Sequence, residues 1–143
     1  MARLIVDTSG YLAGTATKHP LHDVVREVLR DSGEPPVVSP LVLAEIDYMV
    51  LDKIGVAQEL AVIDDLTSGA YELAEVDLDD VRAARDLAAK HRDLKLGLTD
   101  AVNAVLADRY ATNEILTTDQ RHFRAVIPLS RNFEAFRLLP ADR

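Results

Sequence analysis

The chain has 143 residues, 48% of them hydrophobic, which suffices for one domain with a sizeable core and excludes a disordered protein. It contains no cysteine, which excludes disulfides and zinc–thiolate sites and is typical of the reducing cytoplasm. Its apolar stretches are too short for a signal peptide or a membrane span, and its net charge of −8 argues against a nucleic-acid partner. We therefore expect a single cytoplasmic domain over residues 1–143.

The uneven distribution of charge weakens the argument against nucleic acid. Residues 1–80 carry 5 basic and 16 acidic side chains, whereas residues 81–143 carry 11 and 8. An acidic site facing a basic rim would give this asymmetry, and so would a solvated acidic helix face. The composition leaves both interpretations open.

Strand and helix signals alternate along the chain. Short apolar or alternating runs indicate strands, and apolar residues at helical spacing indicate amphipathic helices. Ser39 followed by Pro40 is typical of a helix start, Gly55 of a helix end, and Thr99 is a further expected cap. In chain order we predict strand 4–6, helix 21–31, strand 37–39, helix 40–54, helix 56–66, strand 71–76, a helix from 79 or 80 to 91, helix 100–110, strand 114–117, a helical turn at 119–124, and strands 126–129 and 136–139.

This alternation predicts an α/β fold with a mainly parallel sheet that helices cover on both faces. The carboxyl ends of parallel strands lie along one edge, and ligands of open α/β sheets bind in the crevice there. Asp7 ends the first strand, and Asp119 closely follows the strand at 114–117. We therefore expect these two carboxylates to converge.

Two further acids are candidates for the same edge. Asp100 lies in the first turn of a predicted helix, where the helix dipole alone would favour an acid by about 0.3–1 kcal/mol. Glu45 has Leu41 and Met49 one turn before and after it, so we expect a carboxylate in apolar surroundings that needs a cation. No Lys or Arg lies in the adjacent turns, and either a metal ion or a distant arginine would satisfy it.

Four clustered carboxylates would repel one another without a counter-charge. Oxygen ligands alone suit Mg²⁺ or Mn²⁺, as one or two ions, which can activate water and stabilise charge on a phosphoryl oxygen. The predicted catalytic and metal-binding residues are Asp7, Glu45, Asp100 and Asp119.

The sequence around these acids resembles a known family. The segments are LIVDTS at 4–9, SPLVLAE at 39–45, LTDA at 98–101 and ILTTD at 115–119, with His122 and Phe123 following. In this order they resemble the PIN domain and, more narrowly, the VapC-type toxins of bacterial toxin–antitoxin pairs. The resemblance covers essentially the whole chain and implies a PIN-like three-layer α/β/α sandwich.

The resemblance also implies a function, partners and supporting residues. It implies a metal-dependent endoribonuclease that cuts structured RNA, tRNA or rRNA. It further implies a homodimer and a cognate VapB-type antitoxin that blocks the active site, with DNA contacted only through the antitoxin. The four acids match the family's acidic positions, and Thr8 and Thr117 match hydroxyl positions that support the site. Asn103, one turn after Asp100, is expected either to line the same pocket or to lie on the helix surface.

Other classes of protein also place acids at strand ends. A receiver domain or a haloacid-dehalogenase-like phosphatase would need a lysine late in the chain, but the last is Lys95, and the phosphatase would want an acid where Ser9 stands. The chain has neither a dinucleotide-binding fingerprint nor a GxxxxGK loop. A phosphotransfer domain and a non-catalytic interaction module with a relict acidic site stay as alternatives.

Basic residues near the acids are candidates for contacts with RNA. A metal-independent nuclease would use a histidine in an acid–base pair, but His122, the one histidine near a site acid, is expected on the exposed rim. Phosphates that flank the cut need cations, whereas pairing with surface acids, worth about 0–1 kcal/mol each, is the alternative. The predicted RNA-binding rim consists of Arg121, Arg124, Arg82, Arg85, Arg92 and Lys95.

Overall fold

Strands and helices alternate in the computed structural model, which describes residues 2–143. The strands are β1 (Leu4–Val6), β2 (Val37–Val38), β3 (Glu72–Leu73), β4 (Glu114–Leu116) and β5 (Arg137–Leu139). The α-helices are α1 (Thr8–Thr15), α2 (His22–Asp31), α3 (Pro40–Lys53), α4 (Val56–Leu66), α5 (Leu78–Lys90), α6 (Leu98–Arg109) and α7 (Arg121–Ala125), and a 3₁₀ turn lies at Arg92–Leu94.

The strands form one parallel sheet in the order β3-β2-β1-β4-β5. β1 is central, and its Ile5 is in register with Val37 of β2 and Ile115 of β4. The predicted α/β fold with a parallel sheet is confirmed. Because all strands run in one direction, the segments that follow β1 and β4 leave the sheet at the same edge.

Two hydrophobic cores lie on opposite faces of this sheet. Successive strand residues point to opposite faces, so Ile5 belongs to the core beneath α5 and α6, whereas Leu4 and Val6 belong to the core beneath α1 to α4. The result is the three-layer α/β/α sandwich that the resemblance implied.

Side-chain caps begin two of the helices, α3 and α5. The Ser39 hydroxyl accepts a hydrogen bond from the backbone N–H of Leu41 at 3.1 Å, with Pro40 in the first turn, as predicted. The cap of α5 is Asp77, in a reciprocal pair with Asp80, rather than Asp79 or Asp80. Thr99 is not the cap of α6, because this helix already begins at Leu98.

Helix α1 is missing from the sequence prediction. It carries two glycines and is buried on several sides, so it lacks the amphipathic spacing that marks a surface helix. Gly10 is required there, because a Cβ at this position would lie 2.3 Å from the carbonyl oxygen of Leu116. This close approach sets the first turn of α1 directly against β4.

The predicted strand at 126–129 is wrong. Val126 is buried in the core beneath α6, but Ile127 and Leu129 are exposed, and the segment does not pair with the sheet that the described residues form. The sheet edge beside β4 is taken by β5 instead. Within residues 2–143, no helix combines the length and the apolar character that crossing a bilayer requires.

Candidate active site

The four predicted acids line one pocket of about 440 Å³ at the carboxyl edge of the sheet. Asp7 stands between β1 and α1, Asp119 follows β4, Asp100 lies in the first turn of α6, and Glu45 lies in the second turn of α3. The other lining residues include Thr8, Ser9 and Thr118 and the apolar side chains of Leu12, Ala13, Ala16 and Met49. The topology thus brings together carboxylates from four separate elements.

Asp7 is the most buried of these acids. Its Oδ2 accepts a hydrogen bond from the hydroxyl of Thr117 at 2.9 Å, and its Oδ1 lies 3.4 Å from the amide nitrogen of Asn103. Burial, together with the negative charges of Asp100 and Glu45, raises the pKa of Asp7 to about 6, although the Thr117 hydrogen bond acts in the opposite direction. The charged form of Asp7 is therefore costly in this protein.

Asn103 is fully buried behind Asp7, so it does not lie on the helix surface. Its side-chain oxygen, Oδ1, has no hydrogen-bond partner among the described residues. A buried acceptor without a partner costs free energy unless another group satisfies it.

A chain of hydroxyl groups joins the two strand ends. The hydroxyl oxygens of Ser9 and Thr117 lie 3.1 Å apart, and Ser9 Oγ accepts from the backbone N–H of Thr118 at 3.0 Å. Thr117 Oγ1 also accepts from the backbone N–H of Asp119 at 3.1 Å. Sequence reasoning missed Ser9 as a site residue, although its place two residues after Asp7 in a hydroxyl-rich segment is a usable signal.

The expectation that Glu45 lies in apolar surroundings is wrong. Glu45 is exposed to the pocket, and both of its oxygens accept hydrogen bonds from threonine hydroxyls: Oε1 from Thr8 at 2.6 Å and Oε2 from Thr99 at 3.1 Å. These donors come from α1 and α6, which are distant in sequence, so the turns next to Glu45 could not reveal them. Thr99, expected only as a cap, instead orients this carboxylate.

The expectation that His122 is an exposed rim residue is also wrong. Its side chain is 15% exposed, and its Nδ1 donates to Oδ2 of Asp100 at 2.7 Å. Burial raises the pKa of Asp100 despite this contact with His122, and the charges of Asp119 and Glu45 act in the same direction as burial. His122 therefore fixes the orientation of a carboxylate whose charge is disfavoured.

Asp119 is exposed at the mouth of the pocket. Its Oδ1 accepts from the backbone N–H of Arg121 at 3.2 Å, while its own N–H donates to Thr117. The same threonine thus positions Asp7 and Asp119, which belong to different strand ends.

Three predicted rim arginines are engaged with nearby acids. Arg124 makes two bonds to Asp142, at 2.6 and 2.7 Å, and Arg85 contacts Asp86 at 3.2 Å. Arg82 lies 3.9 Å from the carboxylate of Asp79. For these three residues the structure has the ion-pair arrangement that the sequence offered as the alternative.

Lys95 and Arg121 lie together beside His122, the partner of Asp100. They line a pocket of about 340 Å³ with His122, Asp93 and Leu94. Lys95 has a left-handed backbone (φ 50°), an uncommon conformation for a non-glycine residue that occurs where the surroundings enforce it. Arg92 lies in the preceding 3₁₀ turn and is exposed.

The donor set suits a hard divalent cation. None of the ion pairs within residues 2–143 brings a lysine or arginine to the four carboxylates, and the pocket that they line has further oxygen atoms on Thr8, Ser9 and Thr118. In the same part of the chain, no three acidic or histidine side chains are grouped closely enough to hold an ion as they stand. Mg²⁺ keeps several waters and takes one or two carboxylates, so it does not need such a group. The residues therefore fit Mg²⁺ or Mn²⁺.

Fold and pocket together define an α/β protein with a carboxylate site at the strand ends. The family model of the PIN domain matches residues 4–127, and the chain belongs to the PIN-domain family. It is 44% identical over 126 residues to Ribonuclease VapC26 of Mycobacterium tuberculosis, a span of 88% of this chain and 93% of that protein. Within the family the chain is therefore of the VapC type, which confirms the resemblance of the motifs.

Two solved structures share the fold. VapC20 of Mycobacterium tuberculosis, described as a sarcin–ricin loop cleaving toxin, aligns with a TM-score of 0.75 and 17% identity, covering 82% of this chain and 90% of that one. A toxin–antitoxin complex from Klebsiella pneumoniae aligns with a TM-score of 0.68 and 15% identity, covering 92% of this chain and 98% of that one. At these identities the likeness shows the fold alone.

The raised pKa predicts that Asp7 destabilises the metal-free protein at neutral pH. Its folded pKa of about 6 lies above the ordinary 3.8, so the neutral carboxyl stabilises the fold at low pH and this contribution is lost as pH rises through about 6. Asp7→Asn should therefore raise the free energy of unfolding at about pH 7.5, by at most ~3 kcal/mol, and show no such gain at about pH 4. Thermal unfolding in EDTA, followed by circular dichroism, measures this.

Asp52→Asn is the matched control, since it removes the same charge from an exposed position on α3. It should show no gain at either pH. If Asp7→Asn lowers the melting temperature at every pH, Asp7 is a structural residue rather than a strained site acid.

Proposed function

We propose that the chain is a metal-dependent endoribonuclease toxin that hydrolyses phosphodiester bonds in structured RNA, tRNA or rRNA, and that a cognate antitoxin inhibits it. The observation that carries the proposal is the meeting of Asp7, Glu45, Asp100 and Asp119 in one pocket of a VapC-type PIN domain. The ribonuclease name of the relative from Mycobacterium tuberculosis supports the RNA substrate. Such a toxin works in the cytoplasm, where its RNA substrates are.

The four carboxylates are the proposed catalytic residues and metal ligands. When bound, Mg²⁺ or Mn²⁺ would activate water and stabilise negative charge on the phosphoryl oxygens. Thr117 and Asn103 hold Asp7 in place, Thr8 and Thr99 hold Glu45, and His122 holds Asp100. These supporting groups orient the acids without an arginine or lysine that would compete with a cation.

Chelation should abolish cleavage. Because the carboxylates alone repel a phosphate, EDTA should remove the activity on tRNA or rRNA, and Mg²⁺ or Mn²⁺ should restore it. Attack by water leaves a 5′-phosphate and a 3′-hydroxyl, which sequencing of the cut ends identifies. Glu45→Gln, prepared in parallel, reports any contaminating nuclease. Full activity in EDTA, or a 2′,3′-cyclic phosphate product, would rule out the mechanism.

Lys95 and Arg121 are the proposed phosphate contacts beside the cut. They share a pocket with His122, whose partner Asp100 faces the site, so a phosphate next to the scissile one can reach them. Arg92, in the turn before Lys95, is a candidate for the next phosphate along the strand.

Removing these cations should flatten the salt dependence of RNA binding. Each lost contact lowers the slope of log K against log salt by roughly 0.7 for a single strand. The test measures RNA affinity over a salt series for a variant that carries both Lys95→Gln and Arg121→Gln. All proteins in this test also carry Asp7→Asn, which prevents cleavage. The matched control combines Arg82→Gln and Arg85→Gln in one variant. It removes the same charge from α5 and should leave the slope unchanged. If both double variants give the same slope, Lys95 and Arg121 do not contact the RNA phosphates.

The proposed antitoxin supplies a basic side chain to the acidic pocket, since opposite charges select partners and speed their encounter. The likeness to a toxin–antitoxin complex supports such a partner. The segment of α3 and α4 also exposes Tyr48, Ile54, Val56 and Leu60, and we assign this apolar surface to a protein partner. A homodimer is the proposed assembly, which sedimentation can measure.

Co-expression tests the antitoxin. Production of the chain alone should arrest growth, and the product of a neighbouring reading frame should relieve the arrest and inhibit RNA cleavage by the purified protein. Asp7→Asn should be harmless but still bind that product, which separates inhibition from loss of toxin. A toxic chain whose neighbouring genes encode no inhibitor contradicts this part of the proposal.

A further inference from the structure

A smaller pocket adjoins the acidic one. Its volume is about 240 Å³, below the roughly 300–1,000 Å³ of sites for drug-sized ligands, so it suits one flat ring system. Thr118 lines both pockets, so an occupant would sit directly beside the proposed cleavage site. The lining residues of this pocket, called here the base pocket, are Leu21, Val24, Thr117, Thr118, Gln120, Pro140 and Ala141.

The walls of the base pocket are mostly apolar, and one of its polar groups, the side-chain amide of Gln120, is held in a defined orientation. Arg124 donates to the side-chain oxygen of Gln120 twice, from Nε at 3.2 Å and from a terminal nitrogen at 2.8 Å. Arg124 is itself fixed by two bonds to Asp142, which also accepts from the backbone N–H of Leu138 in β5 at 2.7 Å. The amide of Gln120 is thus tied to the sheet through two side chains.

This arrangement decides which end of the amide a ligand meets. A guanidinium only donates hydrogen bonds, so the side-chain oxygen of Gln120 must face Arg124. The amide nitrogen, with two N–H donors, is the end left for an occupant of the pocket. The amide nitrogen of Gln120 can only donate hydrogen bonds, so it favours ligands that present an acceptor. A ligand that presents an amino group would place two donors opposite each other, which is unfavourable.

We propose that the base pocket holds one unpaired nucleobase beside the scissile phosphate and that Gln120, positioned by Arg124, selects a keto base, G or U, over A or C. The proposal rests on the proposed ribonuclease function. Proteins read single-stranded RNA by packing against the ring faces of splayed bases and by hydrogen bonding to their edges. Guanine and uracil present a keto oxygen, O6 or O4, where adenine and cytosine present an amino donor, whereas N7 is an acceptor in both purines. The discrimination therefore depends on the keto oxygen. Arg124 is then a positioning residue rather than a phosphate contact.

The test reads base preference around the cut. A library of stem-loops from tRNA and rRNA, with the loop bases randomised, is cleaved in Mg²⁺ or Mn²⁺, and sequencing of the ends gives the base frequencies at each flanking position. The wild type should prefer G and U at one position by roughly fivefold or more. Gln120→Glu keeps one oxygen on Arg124 and presents the other as an acceptor, so the preference at that position should turn towards A and C.

Arg124→Lys tests the positioning role, because a lysine keeps the charge but cannot bridge Gln120 and Asp142 in the same way. It should flatten the preference at that position while the preferences at other positions stay as in the wild type. Arg131→Gln, an exposed change elsewhere, should leave the whole profile unaltered. Circular dichroism confirms that each variant is folded.

The outcomes separate this proposal from the proposed function. Metal-dependent cleavage by Gln120→Glu with the wild-type profile overturns the base pocket and leaves the ribonuclease intact. The absence of cleavage of any library member by the wild type overturns both.

Discussion

The repulsion between carboxylates held at one sheet edge is the constraint on which the site depends. Asp7 is buried near Asp100 and Glu45, and burial with these charges raises its pKa to about 6. Within residues 2–143, no arginine or lysine pairs with these acids; instead, hydroxyl, amide and imidazole groups orient them. The charge therefore remains available to a cation from solution, and the fold tolerates a destabilised group at the place where such a cation would be useful.

The packing of α1 against β4 is what makes this orientation possible. Gly10 allows the backbone of α1 to approach the carbonyl of Leu116, and this approach brings Ser9 to within 3.1 Å of Thr117. The hydroxyl of Thr117 then serves Asp7, and its oxygen also accepts from the backbone of Asp119. The contact between α1 and β4 thus requires glycine at position 10 and also sets the orientation of Asp7 and Asp119.

Local signals predicted much of the fold, and long-range contacts account for most of what they missed. The cap at Ser39 and Pro40 and the helix at 56–66 follow from neighbouring residues, whereas α1 is buried on several sides and gives no amphipathic pattern. Asp7, Asp119 and Asp100 could be chosen because a parallel sheet places its strand ends and the starts of its helices at one edge. Glu45 was chosen as a carboxylate that needs a cation, and the resemblance of the motifs joined it to the other three. The resemblance offered Thr8 and Thr117 as supporting hydroxyls, but local signals could not say which acid each donor serves. The donors to Glu45 come from residues 37 and 54 positions away, and His122 lies 22 positions from Asp100.

The basic second half of the chain does not form a broad basic surface. Its arginines reach across the fold to acids: Arg143 contacts Glu27 and Asp31, Arg137 contacts Glu114, and Arg124 contacts Asp142. Much of the positive charge counted in the sequence is therefore engaged in exposed ion pairs, each worth little to stability. An RNA that binds such a protein gains little from non-specific electrostatic attraction, which supplies most of the affinity of strongly basic nucleic-acid binders. With the proposed ribonuclease function, selection of the RNA would then depend on a few contacts next to the acidic pocket.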